Sequence, residues 1–356
     1  MKLQQTFLIC IVIIYLEGCD NLSPIDQLPD EDSILIETPE WKFPYSMELD
    51  DPYVYAALVD QGLWRKNFRI DNSDWEYIGF FDTTFSDGID GARDVDAYRN
   101  DILVASRLER IWRSLDDGET WFKPKPGFIN RDEEELRIFN VERSPNNPDV
   151  IYSVENDRRL FSSVDNGYTW KLVAYEDFVG PKDMSNIRLN PHKPGEVWSF
   201  GWGGGPEWWS SFIGWSNYGS EIKVNVDLGT LLGDASKDWV YDMSFDSENS
   251  EIIYIYTTKG FYKSSDGGLS WLQIGNNIQY PSFYSFIADP RHSNSLFLSK
   301  HDSVFYSNDG LESMQFVGKF REDGDKNFGV YLDINDEFLI IGTNEGIYTF
   351  PIEGIE

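Results

Sequence analysis

The sequence contains few histidines and few cysteines. Three histidines and two cysteines occur in 356 residues. A zinc site with several histidine ligands and a catalytic triad centred on histidine are therefore not expected. Cationic residues are also scarce, because 30 lysines and arginines stand against 61 aspartates and glutamates, for a formal charge of −31. Since affinity for nucleic acid comes mainly from cations that neutralise phosphates, this charge argues against a nucleic-acid partner.

Aromatic residues, by contrast, are abundant. They make up 16% of the chain, with 13 tryptophans, 19 tyrosines and 24 phenylalanines. Disordered acidic chains are poor in such residues, so the composition predicts a folded protein with a large apolar core. The length allows one large all-β domain or two ordinary domains.

The start of the chain has the pattern of a secretion signal. Lys2 precedes an apolar run at 7–16, which is too short to span a bilayer. The run ends in Leu-Glu-Gly-Cys, which resembles the bacterial lipobox. We therefore expect residues 1–18 to be a lipoprotein signal peptide and Cys19 to carry the lipid. The alternative is an ordinary signal peptide with an incidental cysteine.

The next segment, 19–33, is acidic and contains two prolines. This composition is typical of a flexible tether between a membrane anchor and a domain. The predicted location is the bacterial cell envelope, and the choice between the inner and the outer membrane stays open.

A short motif recurs along the rest of the chain. The pattern S-x-D-x-G-x-[ST]-W occurs at 114–121, 163–170 and 264–271, and a degenerate copy occurs at 307–314. The Asp carboxylate can accept backbone N–H groups, the Gly allows a positive φ, and the Ser and Thr hydroxyls can tie the arms of a hairpin. We expect the tryptophan to pack on the next unit. The motif therefore predicts structural turns.

A second motif combines two apolar strands around a turn rich in Pro, Asn and Asp. It occurs at 141–154, 187–200, 243–256, 286–299 and 330–343. Together the motifs give four strands in a unit of about 48 residues, the size of a propeller blade. The last unit lacks an outer strand, and we expect 34–43 to supply it. The sequence thus predicts an all-β fold, a seven-bladed β-propeller over 34–356 with four-stranded antiparallel blades, closed by its N- and C-terminal strands.

These turns and strand pairs resemble the Asp-box (bacterial neuraminidase repeat) β-propellers. The group includes sialidases, xyloglucanase-type glycoside hydrolases, sortilin-like receptors and lipid-anchored photosystem II assembly factor-like proteins. The resemblance implies the fold but no single function, because unrelated activities share the scaffold. In these families the Asp-box turn lies away from the ligand-binding face. Binding residues are therefore expected in the loops between second and third strands and between blades.

The fourth such loop, at 201–215, is rich in tryptophan. Indole rings can stack on sugar rings or anchor a protein partner. Packing between blades is the alternative for these side chains. The candidate binding residues there are Trp202, Trp208, Trp209 and Trp215.

The corresponding loops of blades two and three carry arginine pairs. Four arginines on one side of an acidic protein could bind carboxylate or phosphate groups, whereas pairing with neighbouring acids is the alternative. These residues are Arg107, Arg110, Arg158 and Arg159.

Carboxylates are too common in this chain to mark a catalytic site by themselves. A glycosidase needs two of them, and the five residues that could include a general acid and base are Asp87, Asp90, Asp94, Asp238 and Asp242. The segment 323–327 has the oxygen spacing of a calcium loop but lacks the later glutamate. We predict no metal and no cofactor.

The enzymes of the group fit the sequence poorly. The segment 68–71 is similar to the arginine motif of sialidases, but Asp replaces its Pro and it falls in a third-to-fourth-strand turn. Xyloglucanase-type enzymes have two propellers facing a cleft, whereas one is expected here. The prediction is a lipid-anchored, monomeric propeller that binds a glycan or an envelope or secreted protein without transforming it. A glycoside hydrolase and an assembly or scaffold factor are the alternatives.

Overall fold

The structure is a computed structural model of the chain. Cys19 and the segments assigned to the signal peptide and tether lie outside the residues that it describes. Among the described residues, no helix is long and apolar enough to cross a bilayer. The described residues are 34–36, 44–58, 61–70, 73–82, 90–106, 110–123, 138–155, 159–175, 186–200, 211–216, 221–227, 231, 240–275, 285–320, 329–343 and 346–355.

The described strands form seven four-stranded antiparallel sheets. Six of the sheets are built from four consecutive strands, and five of these six are regular blades. Sheet 1 contains β2 (Pro44–Asp50), β3 (Tyr53–Leu58), β4 (Gly62–Asn67) and β5 (Glu76–Gly79). Sheet 3 contains β10 (Ile138–Arg143), β11 (Ile151–Glu155), β12 (Arg159–Ser163) and β13 (Lys171–Tyr175). Sheet 4 contains β14 (Asn186–Leu189), β15 (Val197–Phe200), β16 (Ser211–Ser216) and β17 (Glu221–Asp227). Sheet 5 contains β18 (Val240–Phe245), β19 (Ile253–Thr257), β20 (Gly260–Ser264) and β21 (Leu272–Ile274). Sheet 6 contains β22 (Ser285–Ala288), β23 (Leu296–Lys300), β24 (Ser303–Ser307) and β25 (Gln315–Lys319).

Sheet 7 takes its fourth strand from the other end of the chain. Its strands are β26 (Gly329–Ile334), β27 (Phe338–Thr343), β28 (Ile347–Pro351) and β1 (Ile34–Ile36). The strand β1 pairs antiparallel with β28, and Ile34 lies opposite Thr349. The pairing expected for the 34–43 segment is therefore present over its first three residues.

Sheet 2 departs from the regular pattern. It consists of β6 (Phe81–Asp82), β7 (Asp90–Tyr98), β8 (Asp101–Ser106) and β9 (Arg110–Ser114). The short β6 pairs with the start of β7. On the other side of β9, the outer position is held by an isolated bridge between Arg113 and Phe122. The prediction of an all-β propeller with four-stranded antiparallel blades is confirmed, but its seven equivalent blades are corrected to six regular sheets and this irregular one.

The apolar core lies between the sheets. Each hydrophobic cluster combines side chains from two neighbouring sheets, because each sheet has apolar residues on both of its faces. One cluster joins the last sheet to the first, with Ile340 and Ile347 against Val54 and Leu58. The recurring two-strand motif supplies the inner and second strands of sheets 3 to 7. The second strands, such as β15, β19 and β23, are almost wholly buried.

The four predicted turns have the hydrogen bonds that the motif implies. In the first, the backbone N–H of Thr120 donates to Asp116 Oδ1 over 2.8 Å and its hydroxyl donates to Asp116 Oδ2 over 2.6 Å. The backbone N–H of Gly118 donates to the Ser114 hydroxyl over 2.8 Å. The same bonds recur in the other three turns, including the degenerate copy.

The turn tryptophans pack on the preceding sheet, which corrects the expectation that they pack on the next unit. The indole N–H of Trp121 donates to the carbonyl of Ile78 in sheet 1. Trp170 lies in a core cluster with Leu103 and Ala105 of sheet 2. The turns therefore make contacts back along the chain, and Trp121 and Trp170 each join their own sheet to the preceding one.

Candidate functional site in the central cavity

The inner strands of the sheets enclose a cavity of about 440 Å³. This volume lies in the usual range for ligand sites. Polar side chains alternate with apolar ones along inner strands such as β7 and β10, so that the polar face of these strands lines the cavity. The lining residues come from six sheets and are 45–48, 93–96, 140–143, 145, 186, 188, 287 and 331–333.

The cavity is lined by more acids than cations. Three arginines, Arg93, Arg143 and Arg188, belong to the lining. They stand against five carboxylates, a surplus of two negative charges if all are ionised. The carboxylates are Glu48, Asp94, Asp96, Glu142 and Asp333.

Several of these acids hold the neighbouring inner strand through its backbone. An inner strand has a free edge, whose N–H groups need acceptors when they are buried. The N–H of Val141 donates to Asp94 over 2.8 Å, and the N–H of Arg143 donates to Asp96 over 2.6 Å. Each bond spans 47 residues, one repeat of the fold.

The same arrangement continues around the cavity. The N–H of Leu189 donates to Glu142 over 2.9 Å, again 47 residues away. Between the first and last sheets, the N–H of Leu49 donates to Asp333 over 2.7 Å. These four carboxylates therefore bind strand edges together, which gives them a structural role.

Arginine side chains also link neighbouring sheets. Arg143 donates to Asp96 over 2.8 Å and to Asp101 over 3.1 Å. Arg188 donates to Asp242 over 3.1 Å. Burial alone would lower the pKa of Arg188, but Asp242 and nearby carboxylates raise it above its ordinary value, so it stays cationic.

Burial changes the protonation of the acids. It raises the pKa of Glu142 to about 8, against the opposing charge of Arg188. It raises the pKa of Asp94 to about 6 and that of Asp333 also to about 6. Burial, reinforced by the surrounding carboxylates, holds the pKa of Glu48 well above its usual range.

The structure describes the backbone of three of the eight predicted binding residues. Trp202, Trp208, Trp209, Arg107 and Arg158 lie outside the described residues, as does the segment considered for calcium. Among the described residues, no group of three or more His, Cys, Asp or Glu side chains is arranged to hold a metal ion.

The remaining three predicted residues lie in strands. Trp215 belongs to β16, opposite Val197, which corrects its assignment to the loop. Arg110 is the first residue of β9 and Arg159 the first of β12. These arginines flank the second-to-third-strand connections of two consecutive sheets. Their common binding site stays a prediction.

The sequence analysis missed most of the cavity. Asp94 was considered as a candidate carboxylate, whereas Glu48, Asp96, Glu142 and Asp333 were not singled out. The signal was the period of two in the inner strands, where the polar residues of Asp94-Val-Asp96 and Asn140-Val-Glu142 recur one repeat apart.

The fold and this cavity define a β-propeller whose inner strands are joined by acidic side chains. No family model matches the sequence, and no curated protein matches it in sequence. Solved structures do share the fold. A structure of YCF48 bound to a D1 peptide has a TM-score of 0.65 at 13% identity, with 93% of this chain and 99% of that chain covered.

Two further structures are similar. YCF48 from Cyanidioschyzon merolae has a TM-score of 0.67 at 10% identity, covering 91% of this chain and 100% of that chain. An ancestral GH74 enzyme has a TM-score of 0.53 at 20% identity, covering 70% of this chain and 34% of that chain. At these identities the similarity establishes the β-propeller fold alone.

Proposed function

We propose that the chain is a non-catalytic binding propeller, a closed ring of seven sheets that holds a segment of a protein partner. The proposal rests on one observation, which is that four of the cavity carboxylates are occupied by hydrogen bonds within the fold. Asp94, Asp96, Glu142 and Asp333 accept backbone N–H groups from neighbouring inner strands. A hydrolase needs a carboxylate pair that is available to the substrate, whereas these four hold the scaffold.

The structural neighbours support a protein partner over a polysaccharide. A propeller with a similar fold over 93% of this chain was solved with a bound peptide. The GH74 enzyme is similar over 34% of its own length, so most of that enzyme has no counterpart in this alignment.

The proposed contact surface is the rim where second strands connect to third strands. These connections join β8 to β9, β11 to β12 and β15 to β16, in three consecutive sheets. The segment 201–210 between β15 and β16 contains three tryptophans. Tryptophan and arginine are the residues that most often dominate protein interfaces. We assign partner binding to Trp208 and Trp209 and, in the corresponding segments of sheets 2 and 3, to Arg107 and Arg158.

Replacing Trp208 or Trp209 by alanine is expected to weaken partner binding by about tenfold or more, because a buried aromatic anchor contributes about 2 kcal/mol. The measurement uses the soluble chain, which is the protein without Cys19 and the residues before it. Its binding to overlapping peptides from the host's envelope and secreted proteins is measured. The matched control is Phe316→Ala, which removes a partly exposed ring from the outer strand β25. The same protein is tested in parallel against a panel of polysaccharides, for binding and for release of reducing sugar.

Peptide binding that is lost in both tryptophan variants and kept in the control supports the proposal. Glycan binding without sugar release would replace the protein partner by a carbohydrate. The hydrolase alternative has one observation in its favour, because the raised pKa of Glu142, about 8, is suited to a general acid. Sugar release that Glu142→Gln abolishes in a folded variant would establish that alternative and overturn the binding proposal.

We also propose that Cys19 anchors the propeller to a membrane of the cell envelope. The change Cys19→Ser is expected to release the chain from the membrane fraction and to stop labelling by radioactive palmitate. Cys10→Ser is the matched control, because Cys10 lies in the apolar run that is removed with the signal. Labelling that persists in Cys19→Ser would contradict the anchor.

A further inference from the structure

Two polar side chains in the cavity wall have no partner among the described residues. The Glu48 carboxyl and the Tyr331 hydroxyl make no hydrogen bond or ion pair with any described group. A third polar group, Glu142 Oε2, is buried without a hydrogen-bond donor, and the nearest charged atom of Arg188 is 4.0 Å away. Glu142 Oε2 is the buried one of the three, and buried polar groups are almost always paired in native proteins. Glu48 and Tyr331 are partly exposed and line the same cavity, so their oxygens can bind a ligand that enters it.

Glu48 faces other carboxylates rather than cations. Asp333, Asp96, Asp94 and Glu142 all act on it as like charges, and with burial they raise its pKa. Arg143 and Arg188 are already engaged by Asp96, Asp101 and Asp242. Burial and these like charges therefore disfavour the ionised form of Glu48 in the free protein and raise its pKa, because ionisation would add another negative charge to an acidic cavity.

The remaining neighbours of Glu48 do not supply a counter-charge. The wall of β22 is apolar at Ile287, and Arg93 of β7 lies over the ring of Tyr45, 4.7 Å from its centroid. The described residues also offer no arrangement for a metal ion. An organic cation with several N–H donors is the chemistry that satisfies an acidic cavity with unused oxygens.

We infer that the central cavity binds a primary ammonium group, carried by a lysine side chain of the bound partner, with Glu48 as its counter-ion. The inference rests on the proposed function in that a protein supplies the lysine. The three ammonium hydrogens match the Glu48 carboxylate, the Tyr331 hydroxyl oxygen and one further oxygen of the wall. Glu48 releases its proton to solvent as the ammonium enters, so no charge is left uncompensated.

The test uses the soluble chain and two peptides, acetyl-Gly-Lys-Gly-amide and its norleucine counterpart. Norleucine keeps the four-carbon stem and lacks the charge. Calorimetry is expected to show binding of the lysine peptide and about tenfold or weaker binding of the norleucine peptide. The affinity for lysine should rise as the pH is raised toward the elevated pKa of Glu48, with protons released to the buffer, because binding requires the ionised form of Glu48.

The change Glu48→Gln is expected to reduce lysine-peptide binding by about tenfold or more and to remove the proton release. Glu119→Gln, at an exposed position in the first turn, is the control for net charge and should bind as the parent does. Tyr331→Phe is a second variant, which keeps the Glu48 carboxyl and removes only the hydroxyl. Its loss of affinity for the lysine peptide is expected to be smaller than that of Glu48→Gln.

Folding of Glu48→Gln can be checked by its melting temperature. The pKa of Glu48 is raised on folding, so its contribution to stability is present at low pH and is lost as the pH rises toward the folded-state value. Glutamine removes that loss, and the variant should melt at least as high as the parent at about pH 8. A lower melting temperature would show that Glu48 is a needed structural partner and would overturn its role as an unpaired acid.

Equal binding of the two peptides, or unchanged lysine binding in Glu48→Gln, would overturn the inference. Failure of both peptides to bind would overturn it as well. These results leave the proposed function standing if partner peptides still bind through Trp208 and Trp209. Conversely, lysine binding in the cavity with no partner peptide bound would contradict the proposed function and leave the cavity site in place.

Discussion

Replacing Arg143 by methionine destabilises the folded protein by about 3 to 5 kcal/mol, as expected when one member of a buried ion network is removed. The Arg143 side chain is 5% exposed, and it donates to Asp96, Asp101 and the side-chain oxygen of Asn166. Methionine fills much of the space but leaves Asp96 without its cation. Urea unfolding followed by tryptophan fluorescence measures the loss.

The matched control is Arg69→Met. Arg69 also contacts two carboxylates, Asp51 and Glu337, but its side chain is 34% exposed. Surface pairs are screened by water, so a loss of about 1 kcal/mol or less is expected. Adding Asp96→Asn to Arg143→Met should recover part of the stability, because the uncompensated charge is then gone. Equal losses in Arg143→Met and Arg69→Met would contradict the structural role of the network.

Replacing Gly268 by alanine is expected to cost about 2 to 4 kcal/mol, from a strained backbone together with a steric clash. Gly268 has a φ of 91°, and a Cβ there would lie 2.3 Å from Cη2 of Trp198. Trp198 is fully buried and donates to Glu196 over 3.0 Å, so it has little freedom to move. Thermal unfolding of the variant measures the effect.

Gly354→Ala separates the two contributions. Gly354 has a similar φ of 82°, but an added Cβ would meet nothing within 4 Å. Backbone strain alone predicts a loss of about 1 kcal/mol there. If the two variants lose the same stability, the close contact between this turn and the preceding sheet is not a constraint.

The degenerate fourth turn has the same backbone conformation as the other three turns, which its sequence alone did not predict. All four turns place two consecutive residues at positive φ, such as Asn166 and Gly167. In the fourth turn the glycine occupies the first of these positions, and Leu311 takes the second at a φ of 71°. The sequence suggested a defective copy, whereas the backbone is preserved. The hydrogen bonds from Ser307 and Asp309 hold it despite the leucine.

The repeat spacing predicted the sheets well because each unit carries its own turn signals. Sheet 2 was less predictable, since its outer position depends on one bridge at Phe122 rather than on a local pattern. Trp215 was assigned to a loop because glycines and a proline precede it, yet it pairs with Val197 within sheet 4. Whether such a residue lies in a strand or in a loop depends on its pairing partner in another strand, which local sequence does not reveal.

The cavity was the hardest part to predict. Its chemistry depends on side chains such as Glu48 and Asp333, which are 285 residues apart in the sequence (333 − 48) and line the same cavity in the structure. A single acid in a strand with alternating polarity is ordinary in a chain with 61 acids. Their convergence is a property of the tertiary structure.

The pairing of β1 with β28 has a consequence for how the protein is made. Ile34 and Thr349 are 315 positions apart (349 − 34), so β1, the first of the described strands, is synthesised well before its partner β28. Sheet 7 cannot be completed until β28 has been synthesised, and such distant pairings fold slowly. A chain cut short before residue 347 loses β28 and also leaves β1 without a partner. Both ends of an incomplete chain are then open to proteases, which gives the cell a simple way to remove it.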